Sequence, residues 1–571
     1  MPHSSDQPLL REIDLKTALQ YGTAQGYPPL FVFLRNFTRN YLHPAVPYAG
    51  GPEIILTCGS TDGFSKALSL LTNEWHEGVN PVTERQGMLC EEFAYMQAIQ
   101  SAAPRGLNIV PVAIDEVGMM AEGEGGLREV MENWDMGRGK RPHIMYTVTI
   151  GQNPTSTVLP VSRRKELYAI CSEYDIIIIE DEPYWYMQYP SSVPDHLRAD
   201  YFPNVGTSSQ EQPPPLPEKK AYTLENLPIR TSTGSEFIDS LTPSYLSIDY
   251  EGRVVRLDTC SKTIAPGCRL GWTTAQPDLI ERLQRITETS TQQPSGFVQS
   301  MVAELLMGER GKAMKVPDLA KDSSENKGWG HVGFIRWLEG LRGDYERRMS
   351  AMADVLEEGK YLTSATTVSE EVEGGTSTAA VVNRTRLDSR ASGSSFQMIE
   401  KQPLLFDFTR PRGGMFVWLR MAYETHPLYG GDGSDSPPSS SSSTDTATTT
   451  NTIISFSHPT KRTSMSKPQP KPKKIPGPIL SKALWVYLTA KPFQVLSAPG
   501  TIFSPTDAIS NGKGWRYFRL SFSAVEEHQI GEISGRFVDG VRRFWEITNP
   551  EEVWRIVGED EERGEGTCVV M

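Results

Sequence analysis

Cysteine is scarce in this chain: six in 571 residues, at positions 58, 90, 171, 260, 268 and 568, with no Cys-x-x-Cys spacing. That excludes a disulfide scaffold or zinc knuckle and leaves reduced thiols. Long apolar runs are missing too. The longest local run is Ile176–Ile179, a buried-strand signal far short of a membrane span. Positive charge is in deficit: 57 Lys and Arg face 70 Asp and Glu, a net charge of −13. Such a balance argues against a nucleic-acid or anionic-membrane partner. The opening residues Met1–Gln7 carry neither a basic flank nor an apolar stretch, so no secretory leader is expected and the expected location is cytoplasmic. What the chain does have is 38% hydrophobic residues, with 9% aromatic, enough for a large core and too much for global disorder.

Two stretches read as insertions. Residues 191–244 contain Gln-Glu-Gln-Pro-Pro-Pro-Leu-Pro-Glu-Lys-Lys, and residues 430–478 contain serine and threonine runs and Lys-Pro-Gln-Pro-Lys-Pro-Lys-Lys. Neither offers enough apolar surface to offset its ordering entropy, so both are expected to be flexible. Residues 363–402 are a weaker third candidate. The basic cluster Lys467–Lys474 reads as a solvated linker in preference to a localisation patch. Outside the insertions, strands at Glu53–Thr57, Ile144–Thr149, Ile176–Ile179 and Val254–Leu257 alternate with helices at Asp62–Leu71 and Arg163–Glu173. Alternation of this kind implies an α/β fold with a mainly parallel sheet flanked by helices. From Gly333 to Leu356, residues Phe334, Leu338, Leu341, Tyr345, Met349, Met352 and Leu356 recur at helical spacing, one long helix bridging two domains. Segments Gly414–Trp418 and Tyr517–Phe522 suggest a smaller α+β domain. The resulting division is an N-terminal segment 1–46, a large domain 47–332, a small domain 333–557 and an acidic tail 558–571.

Chemistry concentrates in a few motifs. Ser-Lys-Thr-Ile-Ala-Pro-Gly-Cys-Arg-Leu-Gly-Trp, Ser261–Trp272, places Lys262 and Arg269 around a Pro-Gly turn after a strand. A lysine there can form a Schiff base with a carbonyl cofactor, and the arginine can clamp a phosphate; an exposed loop lysine is the plain alternative. Cys-Gly-Ser-Thr-Asp-Gly, Cys58–Gly63, sits at a helix start, where backbone N–H groups and the hydroxyls of Ser60 and Thr61 make either a phosphate cradle or an ordinary N-cap. Gly-Gln-Asn-Pro-Thr presents Asn153 after another strand. Glu-Asp-Glu-Pro-Tyr, Glu180–Tyr184, brings Asp181 to the sheet edge where ligands of such folds bind. In Tyr-Phe-Arg-Leu-Ser-Phe-Ser, Arg519 lies among apolar neighbours and calls for an anionic partner, such as a substrate carboxylate.

Together these motifs resemble the fold type I pyridoxal-phosphate aminotransferases, and most of all the fungal aromatic and 2-aminoadipate group that includes the kynurenine/aminoadipate enzymes. Segments Leu19–Leu30, Glu91–Tyr95, Arg412–Trp418 and Ser497–Phe503 carry the likeness to that group. The resemblance implies a pyridoxal 5'-phosphate enzyme moving an amino group from an aromatic or 2-aminoadipate-like amino acid to 2-oxoglutarate. It implies that Lys262 carries the cofactor and shuttles the proton, and that Asp181 pairs with the pyridine nitrogen. Asn153 and Tyr184 would bond the ring oxygen, and Tyr95 would stack on the ring. Ser60, Thr61, Thr259 and Arg269 would hold the phosphate. Arg519, with Asn153, would bind the substrate. Tyr21 would reach the phosphate of a neighbouring subunit, which implies a homodimer.

Two departures stand out. Relatives carry a longer N-terminal segment, with a Gly-Gly-x-Pro stretch that closes over the substrate, whereas none of the 18 residues before Leu19 match it. The glycine usual after Asn-Pro-Thr is Ser156. The shortened N-terminus keeps a non-catalytic cofactor-binding scaffold as an alternative, and a lyase or decarboxylase on the same fold is another. The terminal Cys568-Val569-Val570-Met571 fits a prenylation box, the only route to a membrane, although the stretch before it is acidic where a polybasic signal is usual.

Overall fold

The computed structural model describes residues 15–203, 233–307, 328–362, 402–432 and 474–562. A seven-stranded sheet forms the centre of the large domain. Its strands are β1 (Glu53–Thr57), β2 (Gly87–Glu91), β3 (Asn108–Val112), β4 (Ile144–Thr147), β5 (Ile177–Asp181), β6 (Val254–Thr259) and β7 (Gly271–Ala275). In space they run β1-β7-β6-β5-β4-β2-β3, all parallel except β7, which is antiparallel to both neighbours. Period-two alternation sends successive side chains of a strand to opposite faces. Ile179 and Val255 accordingly pack with Phe64, Ala67 and Leu68 of helix α1 (Ser60–Leu71). Ile178 and Val254 pack with Leu167, Ile170 and Cys171 of helix α2 (Val161–Glu173). Both faces are thus covered, the usual condition for a parallel sheet.

The long helix α3 (Gly330–Glu358) spans about 43 Å at 1.5 Å per residue. Its first half buries Phe334, Ile335 and Leu338 in one core, while Met349, Met352, Ala353 and Leu356 enter another. The helix begins three residues before the expected Gly333, at Gly330, and runs two residues past the expected Leu356. The small domain holds a four-stranded antiparallel sheet of β8 (Phe406–Asp407), β9 (Phe416–Met421), β10 (Ala498–Pro499) and β11 (Tyr517–Ser521), ordered β8-β9-β11-β10.

Behind the sheet's ligand edge lies a buried ionic network. Arg164 donates to Glu180 at 3.0 Å, and Arg256 grips Asp258 with two bonds of 3.0 and 2.9 Å and approaches Glu180 at 3.6 Å. The Arg256 guanidinium lies over the Trp185 ring at 4.6 Å. Burial, reinforced by Glu180, pushes the adjoining Glu182 carboxyl up to about 8.

The insertions are narrower than expected. Residues 191–203 and 233–244 are folded and bury Val193, Tyr201, Phe202, Phe237, Ile238 and Leu241, and Ser244 supplies a hydroxyl to Glu180. These apolar residues lack strand or helix periodicity, which is why composition alone assigned them to a flexible stretch. At the second insertion Ile475 is fully buried and a helix starts at Gly477, inside the expected 430–478. Residues 204–232, 363–401 and 433–473 lie outside the described residues, as does the prenylation candidate Cys568. Among the described residues no helix is long and apolar enough to cross a membrane.

Candidate active site

Ligands of open α/β sheets bind beyond the carboxyl ends of the parallel strands. At that edge the chain leaves β1 toward Gly59 and Ser60, β2 toward Tyr95, β4 toward Asn153, β5 toward Tyr184 and β6 toward Lys262. Because β7 runs the other way, its start lies at the same edge, and Arg269 lies two residues before it.

The turn into α1 depends on Gly59, whose φ of 97° is a conformation side chains rarely adopt. A Cβ there would sit 3.0 Å from Nη2 of Arg269. That arginine itself adopts φ 44° and is held by the Cys58 carbonyl at 3.3 Å, the Pro266 carbonyl at 3.2 Å and the Ser261 hydroxyl at 3.2 Å. Ser261 also meets the Thr259 hydroxyl at 3.0 Å. The outcome is a cup of hydroxyls, one guanidinium and the free N–H groups of a helix's first turn, suited to a phosphate.

Asp181 closes β5 and is buried. Tyr146 donates to its Oδ2 at 2.9 Å, while Oδ1 is buried with no well-aligned partner among the described residues. Burial pushes this carboxyl up to about 6, against the pull of Tyr146 and nearby Ser60. An orphaned carboxylate oxygen in this position fits a protonated ring nitrogen.

Lys262 is largely shielded, and burial followed by the charge of Arg519 lowers its pKa, favouring the neutral amine. Arg519 lies on β11 between two rings, its guanidinium carbon 4.2 Å from the Phe416 centroid and 4.8 Å from that of Phe503. Its Nη1 donates to Asn153 Oδ1 at 2.7 Å, and its Nε is buried without an acceptor among the described residues. Burial lowers even this guanidinium to about 10, opposed by Tyr184 and Tyr95. Tyr184 is buried edge-on to Phe416, and Tyr95, near Thr61, is half-buried with its hydroxyl on Gln97.

The structure therefore brings Ser60, Thr61, Tyr95, Asn153, Asp181, Tyr184, Thr259, Lys262, Arg269 and Arg519 to one edge. It does not bring Tyr21, which is 89% exposed. Four further contributors were not named as site residues from the sequence: Ser261, and Tyr146, Phe416 and Phe503, whose roles depend on partners brought close by the fold. Ser261, Phe416 and Phe503 were within reach, since they lie inside the singled-out segments Ser261–Trp272, Arg412–Trp418 and Ser497–Phe503. Aromatic residues Phe93, Trp418 and Tyr517 form a further cluster beside Phe503, with Trp418 and Tyr517 stacked at 5.1 Å.

Residues 131–326 match the family model described as aminotransferase class I and II. An aromatic amino acid aminotransferase of Schizosaccharomyces pombe is 35% identical over 347 residues, 60% of this chain and 59% of that protein. The L-tyrosine:2-oxoglutarate aminotransferase of Serpula lacrymans is 30% identical over 419 residues, 73% of this chain and 60% of that one. The chain thus spans about three fifths of the length of these curated relatives. Among solved structures, the aminotransferase Aro8 of Candida albicans superposes with a TM-score of 0.59 at 26% identity, covering 95% of this chain and 83% of that one.

Proposed function

We propose, from the match of residues 131–326 to the class I and II aminotransferase model, that the protein transfers the amino group of an aromatic or 2-aminoadipate-like amino acid to 2-oxoglutarate, with pyridoxal 5'-phosphate as its cofactor. The observation that carries the reading is the meeting at one edge of the desolvated Lys262 amine with two buried atoms that lack a well-aligned partner among the described residues, Oδ1 of Asp181 and Nε of Arg519. Pyridoxal phosphate, when bound, supplies a carbonyl for the amino group and a ring that withdraws electrons from the substrate Cα.

The chain's own residues do the rest. The first turn of α1, with Ser60, Thr61, Thr259 and Arg269, would hold the phosphate, and Asp181 would keep the ring nitrogen protonated. Lys262 Nζ would take a proton from the substrate Cα and return it on the cofactor side. Arg519 would anchor the substrate α-carboxylate, orienting Cα toward Lys262. The cluster of Phe93, Trp418, Phe503 and Tyr517 supplies an apolar wall beside that anchor, which suits an aromatic side chain. The acceptor in the Serpula lacrymans relative's name supports 2-oxoglutarate. The exposed apolar side chains Leu19, Tyr21, Phe297 and Met301 support a homodimer; sedimentation that finds only a 63.6 kDa particle at micromolar concentration would overturn it.

The test is the visible absorption of protein loaded with pyridoxal phosphate. Phenylalanine alone should bleach the bound-cofactor band, and 2-oxoglutarate should restore it. A band indifferent to phenylalanine, kynurenine and 2-aminoadipate would leave only a cofactor-binding scaffold. The same titration has a pH signature. Asp181 is held at about 6, above the usual 3.8, so between those values the native apoprotein binds more protons than the unfolded chain and loses stability as pH rises. A cationic ring nitrogen relieves that cost only once Asp181 is ionised, so cofactor affinity should strengthen as pH rises through about 6. Asp181→Asn should weaken binding and flatten this dependence.

A further inference from the structure

Ser156 occupies a position where glycine would relax the chain. Its φ is 59°, in the left-handed region that a Cβ disfavours, yet the residue is buried and ordered. Its N–H bonds to the Gln152 carbonyl at 2.6 Å, closing the turn that presents Asn153. Its hydroxyl crosses the domain boundary and donates to the Phe416 carbonyl, 260 residues away. The two segments meet there backbone to backbone, for a Cβ on Gly151 would lie 2.2 Å from the Gly414 Cα.

Phe416 opens β9, and its ring is the nearer of the two faces that hold the Arg519 guanidinium. Arg519, on the paired strand β11, donates in turn to Asn153. The contacts form a closed circuit: Ser156 to Phe416, Phe416 to Arg519, Arg519 to Asn153, and back through the turn to Ser156. Within that circuit the serine hydroxyl is the link that ties the turn to β9.

We propose that Ser156 is a positioning residue for the substrate carboxylate: its hydroxyl ties turn 151–156 to β9 and thereby fixes Arg519 relative to Asn153 and Lys262. The proposal rests on the aminotransferase reading above, in which Arg519 receives that carboxylate. A glycine at 156 relaxes the backbone and releases the tie, so strain and positioning are separable by mutation.

Ser156→Gly and Ser156→Ala are compared with wild type in the pyridoxal phosphate holoenzyme. One hydrogen bond contributes enough to shift an equilibrium roughly three- to tenfold. Ser156→Gly should raise KM for phenylalanine, and Kd for the unreactive carboxylate 3-phenylpropionate, by about that factor. Its kcat and cofactor affinity should stay near wild type, and its Tm should equal or exceed it. Ser156→Ala should show the same KM and Kd defect with a lower Tm, because it keeps the strain. A glycine variant with wild-type KM and Kd overturns the proposal, as does a defect that follows Tm across both variants. Failure of the aminotransferase reading is distinguishable: wild type would then bind 3-phenylpropionate without turning over phenylalanine, and the Kd comparison still decides the role of Ser156. Wild type that binds neither overturns both.

Discussion

Lys262→Ala should lose transamination by roughly 10²–10⁴-fold or more, the range attributed to a positioned general acid–base group. Lys262 lies at the edge where β6 ends, shielded from water and lowered in pKa by burial and by Arg519. Those conditions favour the neutral amine, the form that can take a proton and give it back. No other lysine among the described residues shares this setting: Lys66, also buried, is bound by Asp62 at 2.8 Å and by Thr291 at 2.7 Å. The fold should survive, because Lys262 makes no ion pair that the core relies on, and a circular-dichroism melt should match wild type. Half-reaction rates with phenylalanine measure the loss. A variant with full activity would refute the mechanism, and a methylamine-rescued rate would support the proton-transfer role specifically.

Arg519→Met should lower kcat/KM for phenylalanine by roughly 10²–10³-fold, in line with the 2–5 kcal/mol typical of truncating one side of a buried charge pair. Methionine fits between the Phe416 and Phe503 rings, so the packing loss is small and the missing charge is isolated. Arg519→Lys should rescue poorly, since an ammonium lacks the planar fork and leaves Asn153 and the carboxylate to compete for one centre. Phenethylamine, which has the ring but no carboxylate, is the control. The gap between wild type and Arg519→Met should close for it. A gap that persists would place Arg519 in some other role.

These residues were readable to unequal degrees. Strand positions followed from β-branched runs such as Ile177–Ile179, and α3 from its helical spacing, because burial imposes those periods directly on the chain. Lys262, Asp181 and Arg269 were each ambiguous as single residues, and only their co-occurrence in motif order singled them out. Phe416 and Phe503 were invisible as guanidinium supports, since an aromatic residue in a strand is by default core and their meeting with Arg519 is a tertiary event. Glu180, Arg256 and Asp258 ran against pattern altogether. Charges inside strands suggest exposure, and here they are sealed inside by one another. The folded edges of the first insertion were missed for a related reason. Tyr201 and Phe237 sit in four-residue helices, Arg198–Tyr201 and Glu236–Asp239, too short to leave a period to detect.

That sealed group behind β5 and β6 has a consequence for how the sequence can drift. Removing one member of a buried ion pair costs about 3–5 kcal/mol, whereas replacing a whole set by apolar residues of similar volume is often neutral. A domain's total stability is on the order of 5–15 kcal/mol, so single steps at Arg164, Glu180, Arg256 or Asp258 approach the limit of what the fold tolerates. The four positions are therefore expected to be epistatic, changing together more readily than one at a time.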